Sequence, residues 1–437
     1  MGIDTTSEYK QGDLNLDVLL IGNGGREHAI AWKLKQSPNL RNLFIAPGNA
    51  GTDQISQNVT IDSNDVPNLI KFCGDVGIDL TIVGPEGPLS MGIVDKFTDK
   101  GLMIAGPTKS AAQLESSKAF AKEFMKRHQI PCAESMTFDN YSEASNFLEH
   151  VQLPIVIKAD GLAAGKGVVV ANNKTDASKV LDAFMNQCTL GNAGQTVVIE
   201  EFLEGKEVSV FSFVDGEFHS PLVSACDYKR AYDGNIGPNT GGMGCYSPAE
   251  FWSEQIDYQI ETQIFAPTVK GMAKENNPYK GILYGGLIMT KQGPKALEFN
   301  ARLGDPETQV ILPRLKSDLA DIMAGIAEGK LNKTRIEWSD QHCVGIVLTS
   351  KGYPGSYETG FRIGGLKEAG ATTLIFHAGT SLDNDSIVTN GGRVITVVGQ
   401  GKSISDAREI AYKAVKHVRF DGAFYRKDIA SFDNVSN

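Results

Sequence analysis

The tripeptide Glu298-Phe299-Asn300 puts two hard oxygen donors two residues apart, and Arg302, Asp305 and Glu307 follow at once. Residues i and i+2 of a strand point to the same face. Glu298 and Asn300 are therefore expected on one side, with Leu297 and Phe299 turned to the core. A carboxylate and an amide oxygen on one face suit Mg²⁺ when phosphate oxygens complete its shell. A guanidinium at Arg302 suits a carboxylate, or a structural ion pair with Asp305 or Glu307.

Further upstream, Lys158-Ala-Asp-Gly161-Leu-Ala-Ala-Gly165-Lys166-Gly167 sets two lysines around small residues. The segment is not a P-loop. Its glycine spacing is one residue short, Gly167 stands where Ser or Thr is needed, and a strand-like run follows instead of a helix. It reads as a hairpin whose tip amides close on phosphates, with Lys158 and Lys166 supplying charge; an ordinary flexible hairpin is the plainer alternative. Gly22-Asn23-Gly24-Gly25-Arg26 follows an apolar run and invites a dinucleotide reading. That fingerprint fails, because Glu27 occupies the third glycine position and Pro47-Gly48-Asn49 replaces the acidic residue expected after the second strand. What survives is a helix N-terminus that favours an anion, with Arg26 as an added donor, or a tight turn with a solvated arginine. Residues 200–207 form an acidic connection that offers backbone groups to a base edge and Glu207 to a ribose, or is simply solvated. Asp227-Tyr-Lys229-Arg230 leads into Pro238-Asn239-Thr-Gly241-Gly242-Met-Gly244. A loop of that length and glycine content is usually functional; a surface Ω-loop is the alternative.

Strands at 17–21, 43–46, 80–83 and 102–105, each ending in a Gly/Pro turn and alternating with helical stretches, read as a parallel α/β sheet. Its ligands belong at the carboxyl ends of the strands. Residues 118–128 read as a helix with Phe120 and Phe124 on one face. Strands are expected at 155–159, 168–171, 197–201, 208–214, 283–289 and 296–300. The chain is strand-rich again from about 340. It closes on a helix carrying Ala407, Ile410, Ala411, Ala414, Val415 and Val418, with Ser403 and Asp406 as a capping box.

The 437 residues allow about three domains at ~150 each. Apolar residues make up 41% and charged residues 22%, a globular balance that excludes disordered and fibrous chains. The 47 glycines fit many tight loops. Lys and Arg number 42 against 52 Asp and Glu, a net charge of −10. Phosphate binding along nucleic acid runs on basic residues, so a nucleic-acid partner is not expected. Six cysteines lack metal-ligand spacing. With no signal-like start and no long apolar run, the chain reads as a reduced, cytoplasmic protein with no membrane partner and its thiols buried as small hydrophobes.

These pieces, in this order, resemble the ATP-grasp ligases. From about 17 to 430 the chain resembles the glycinamide ribonucleotide synthetase family within them. The runs that carry the likeness are 21–28, 46–51, 157–167, 238–244 and 298–309, extended by His377-Ala-Gly-Thr380 and Thr389-Asn-Gly-Gly-Arg393. The resemblance implies an N-terminal parallel α/β domain over 17–117, behind a leader of residues 1–16. A central ATP-grasp fold would follow, with a mobile hairpin lid in 118–204 and a catalytic subdomain in 205–335. A strand-rich α/β domain over 336–437 would complete the chain.

The implied reaction joins glycine to 5-phospho-β-D-ribosylamine through glycyl phosphate, at the expense of ATP. Such catalysis is mostly placement and neutralisation of phosphate charge. By the family pattern Lys118 and Lys158 hold phosphates, and Gly165, Lys166 and Gly167 close over them. Glu200, Glu201 and Leu203 frame the adenine, and Glu207 takes the ribose. Glu298 and Asn300 bind Mg²⁺ or Mn²⁺. Gly24, Gly25, Arg26, Gly48 and Asn49 meet phosphoribosylamine. Lys229, Asn239, Gly241, Gly242 and Arg302 complete the substrate site, and Arg302, Lys158 and Asp305 act at the reacting groups. Many ATP-grasp enzymes carry a further metal carboxylate on the preceding strand. Here that strand reads Tyr284-Gly-Gly-Leu-Ile-Met289, so two protein ligands are expected, in a monomer acting on small molecules. An ATP-dependent carboxylase and a non-catalytic nucleotide-binding module are the competing readings.

Overall fold

The structure, a computed structural model, describes residues 15–163 and 166–432. Most of the expected leader and Gly165 lie outside the described residues. Leu16 does not belong to a leader: it is buried and opens the first strand, paired with Leu40.

Five parallel strands form the N-terminal sheet in the order Gln57–Asn58, Leu40–Pro47, Leu16–Gly22, Leu80–Val83 and Ile104–Ala105. Every residue of Leu16–Gly22 is buried. A central parallel strand is covered on both faces, which is why this run shows no alternation of apolar and polar residues. The strand order reverses beside it, so its carboxyl end opens on the switch-point crevice. The run at 102–105 yields only the two-residue strand Ile104–Ala105, at the sheet edge.

A second, antiparallel sheet has the order Ser135–Phe138, Val197–Glu201, Ile155–Ala159, Val168–Ala171. Helices Tyr141–His150 and Lys174–Met185, capped by Asn140 and Asn173, lay Ala144, Leu148, Ala177, Leu181 and Phe184 against it. Lys158 stands opposite Val168, so the glycine-rich segment is a hairpin turn, as its sequence suggests.

The third sheet has eight strands: Gly293–Asn300, Tyr279–Thr290, Lys206–Gly216, Val223–Asp227, Gly244–Ser247, His342–Thr349, Arg393–Gly401 and Leu374–His377. It runs without a break from the catalytic part into the C-terminal part, through antiparallel pairing of Gly244–Ser247 with His342–Thr349. The Asp227–Gly244 loop carries its own small hairpin, Arg230–Tyr232 with Ile236–Asn239.

Three local expectations fail. Gly286 pairs with Glu298 but Leu287 with Ala296, so Leu297 is the extra residue of a β-bulge. Phe299 enters the core while Leu297 stays partly exposed. The last helix, Ile404–Val415, is capped by Ser403 but ends before Val418, which is buried beyond it. Cys188 is exposed and Cys132 only half-buried, so burial describes four of the six thiols.

Candidate active site

Helix Lys118–Arg127 begins beside the hairpin. Its N-cap Ser117 accepts from Phe120 N, and the Asp160 carboxylate takes Ala119 N at 2.7 Å and Ser117 Oγ at 3.1 Å. Asp160 follows the strand Ile155–Ala159, so the helix start is pinned to the entry of the hairpin turn. Lys118 Nζ donates to the Gly161 carbonyl at 3.1 Å. Lys158 is buried; its Nζ pairs with Glu200 Oε1 at 2.5 Å and donates to the Leu297 carbonyl at 3.1 Å. The bulge that removes Leu297 from the core thus presents its carbonyl to Lys158.

Glu298 and Asn300 end the strand beside these lysines. Burial pushes the Glu298 carboxyl up, but Lys158, Lys229, Lys118 and Arg302 together outweigh it and hold it below the usual carboxylate range. Burial depresses the Lys118 ammonium, opposed by Glu298 and helped by Lys158. An ionised carboxylate with a neighbouring amide oxygen is a donor set that fits Mg²⁺ or Mn²⁺ completed by phosphate oxygens. Among the described residues no group of three or more His, Cys, Asp or Glu is arranged to hold a metal.

Arg302 pairs with neither Asp305 nor Glu307. Its Nε meets Glu86 at 3.2 Å and its Nη2 meets Glu115 at 3.0 Å, with Leu303 O and Asn300 Oδ1 as further acceptors. Glu115 also takes Ala301 N at 2.7 Å, bracing the turn just after Asn300. Burial lowers the Arg302 pKa, and Glu115 and Glu86 more than reverse that.

At the N-terminal crevice the Gly24 amide and the Arg26 side chain are taken up by the protein's own groups. Glu27 Oε2 takes Gly24 N at 2.7 Å, and its Oε1 pairs with Arg26 Nε at 2.6 Å. A Cβ at Gly22 or Gly84 would strike the Glu27 side chain. Arg26, expected to reach for a phosphate, is buried and donates instead to Glu27 and Leu303 O. Asp305 lies across the helix start, accepting from Arg26 N at 3.4 Å and Gln309 Nε2 at 2.9 Å, with Arg393 at 3.4 Å. Burial raises the Asp305 carboxyl, and Arg393 and Arg26 bring it below its ordinary value. Asn49 is a fastener: its Nδ2 reaches Asn23 O and His377 O, while its Oδ1 accepts from Gly51 N and Thr52 N. Gly48 N donates to Gly22 O, joining the two turns. His28 and His377 are both buried, with His377 N donating to His28 Nδ1 at 2.9 Å.

Glu200 does not present a free carboxylate to a base, because Lys122 and Lys158 take one oxygen each. Glu201 Oε1 accepts from Glu134 N and pairs with Lys295. Leu203 is half-buried, Lys166 exposed and Gly167 buried. Lys229 Nζ joins Glu207 at 2.8 Å and Asp227 at 3.8 Å. Gly241 donates its N–H to Tyr353 OH and gives its carbonyl to Arg393 Nη1. Gly242 has φ +115°, and a Cβ there would meet Pro306. Asn239 is exposed at the end of its short strand, opposite Arg230.

Sequence reasoning missed Glu27, Glu86, Glu115, Lys122 and Arg393 as members of these networks. Glu27 and Arg393 lie within the motif runs 21–28 and 389–393, and Lys122 is one turn after Lys118 on the same helix face, whereas Glu86 and Glu115 carried no such local signal.

Family profiles described as the Phosphoribosylglycinamide synthetase N domain, ATP-grasp (A) domain and C domain match residues 16–115, 116–308 and 343–432. The chain is 50% identical over 419 residues to a Phosphoribosylamine--glycine ligase of Salmonella typhi, covering 95% of this chain and 98% of that one. It is 49% identical over 416 residues to the enzyme of the same name from Halalkalibacterium halodurans, covering 95% and 97%. A crystal structure of Phosphoribosylamine--glycine ligase from Thermotoga maritima superposes with a TM-score of 0.81 at 33% identity, covering 94% of this chain and 99% of that one.

Proposed function

Because the chain belongs to the phosphoribosylglycinamide synthetase family, we infer how its own residues carry out the reaction of that family. The protein is an ATP-dependent phosphoribosylamine–glycine ligase, working at the glycinamide ribonucleotide step of purine biosynthesis. The observation that supports the assignment of parts is the gathering of Lys118, Lys158 and Glu298 beside Gly161, where the hairpin turn begins.

A glycine carboxylate is a poor electrophile, since its leaving group would be oxide. In our reading one carboxylate oxygen attacks the γ-phosphorus of ATP, and ADP departs. The ribosylamine nitrogen then attacks the acyl carbon of glycyl phosphate, gives up a proton, and inorganic phosphate leaves. Lys118 and Lys158 hold the phosphates, with Lys166 and Gly167 closing from the hairpin. Glu200, Glu201 and Leu203 border the adenine through backbone, and Glu207 takes the ribose. Glu298 and Asn300 would hold Mg²⁺ or Mn²⁺, which when bound offsets the triphosphate charge. Arg302 binds the glycine carboxylate. It already holds two carboxylates, and Glu86, the more exposed at 37% against 7% for Glu115, is the one an incoming carboxylate replaces.

Phosphoribosylamine lies between the N-terminal turns and the 229–242 loop, with Asp305 and Arg393 joining the two sides. The N-terminal 17–117, lid 118–204, catalytic 205–335 and C-terminal 336–437 segments divide these tasks in a cytoplasmic monomer.

Glycine labelled with ¹⁸O in its carboxylate tests the route. One labelled oxygen should appear in released phosphate, and ADP release should need glycine and ignore bicarbonate. Unlabelled phosphate would remove the acyl-phosphate step.

A further inference from the structure

We propose that Lys122 is the standing counter-ion of Glu200, which frees Lys158 to leave that carboxylate for a nucleotide phosphate. The proposal rests on the reading of this cleft as the ATP site. Lys122, Lys158 and Glu200 are all buried, with side-chain exposures of 4%, 6% and 2%. Each lysine takes a different oxygen, Lys158 Nζ to Oε1 and Lys122 Nζ to Oε2, both at 2.5 Å. Two ammonium groups on one carboxylate leave an excess of one positive charge in a place with little water.

The two lysines are not equivalent. Lys158 also donates to the Leu297 carbonyl, beside Glu298, and so reaches toward the strand that carries the metal ligands. Lys122 Nζ has Glu200 Oε2 as its partner at 2.5 Å and no second acceptor among the described residues. Lys122 sits one turn behind Lys118 on its helix, away from the hairpin that Lys118 touches.

A carboxylate stranded in a buried site without a partner is costly. If Lys158 were the only cation on Glu200, its move to a phosphate would create that situation, and Glu200 would hold it back. With Lys122 in place, Glu200 stays neutralised whichever way Lys158 turns. Lys122 is thus a positioning residue: it sets the freedom of Lys158 and touches no substrate itself.

Equilibrium binding of ATP, with neither glycine nor phosphoribosylamine present, tests this in a double-mutant cycle. Lys122→Met should weaken ATP binding on the order of tenfold. In a Glu200→Gln background the same change should cost less than about twofold, because no carboxylate remains to pin Lys158. Lys122→Arg should bind ATP nearly as the parent does. An equal penalty in both backgrounds would overturn the proposal, since Lys122 would then touch the nucleotide or merely pack. An arginine variant as weak as the methionine one would overturn it too. Should Lys122→Met not fold, Lys122→Gln takes its place in the cycle. Failure of the parent chain to bind ATP would sink the ATP-site reading itself, a separate result.

Discussion

Two glycine-rich turns follow buried strands in this molecule, and their surroundings set them apart. The Gly22–Gly25 turn is met by carboxylates of the protein itself: Glu27 takes the Gly24 amide and Asp305 the Arg26 amide. Its arginine is consumed internally, and Asn49 stitches it to His377. The 161–167 turn is met by ammonium groups. Lys118 reaches the Gly161 carbonyl, and Lys158 and Lys122 stand behind it with one carboxylate between them. A helix N-terminus or a ring of amides binds an external anion only where the fold has not supplied its own. The first turn is thus braced by the fold's own carboxylates, whereas the second has ammonium groups beside it, as the proposed phosphate site requires.

That contrast is sharpest in what each turn should lose on mutation. Glu27→Ala leaves Arg26 buried without its carboxylate and strips a cap from the helix. It should lower stability by about 3–5 kcal/mol, the range for breaking a buried ion pair, while leaving ATP affinity alone. Denaturant unfolding checks the first part, and a change below about 1 kcal/mol would mean that Glu27 is dispensable filler. Glu298→Gln should do the opposite. It keeps shape and fold but lowers turnover by about 10²–10³, as for loss of a comparable transition-state stabiliser. Near-parental ADP release at saturating Mg²⁺ would show that the Glu298 charge does not matter.

Acid should also find the N-terminal side first. Burial pushes His28 down to about 3, with His377 adding to the effect, and burial pushes His377 down to about 4. The unfolded chain takes up protons near the ordinary pKa of ~6.5, well before the folded one. Stability is therefore full above that value and falls as pH drops through it toward 4. From pH 7 to pH 5 the loss is about 2 kcal/mol per histidine by linkage. Burial pushes the Asp227 carboxyl up to about 7, which acts with the opposite sign over the same range. The pair is therefore read from the difference in unfolding free energy between the parent chain and a His28→Gln/His377→Gln variant from pH 7 to 5, and parallel profiles would contradict it. The smallest expected effect concerns the second turn. Amides of 161–163 and 166–168 should exchange hydrogen about tenfold more slowly with an ATP analogue bound. Unchanged exchange would leave the hairpin without a role as a lid.

Much of the second region was legible in the sequence, and little of the first. Lys158, Gly161, Gly167 and Glu298 lie on short, regular elements, where strand alternation and turn composition already say what faces what. The Glu298/Asn300 pair is a matter of period two, and it survives the bulge because the extra residue, Leu297, precedes both. Arg302 shows the limit. Its spacing from Asn300 suggested a charge near the metal, yet its partners Glu86 and Glu115 are 216 and 187 positions away in the chain. No local pattern encodes such a pairing.

The sequence by itself determined the parallel first sheet, the hairpin, the strand that carries Glu298 and Asn300 and, through seven ordered motifs, the family. It could do so because hydrophobic period, glycine placement and motif spacing are local quantities. Only the tertiary structure decided which charges are already spent. It showed that Arg26 belongs to Glu27, that Glu200 is shared by two lysines, and that one eight-stranded sheet unites the catalytic and C-terminal parts. Those outcomes depend on which side chains meet across elements far apart in the chain. Burial then makes each such meeting decisive, because a charge removed from water must find its partner within the fold.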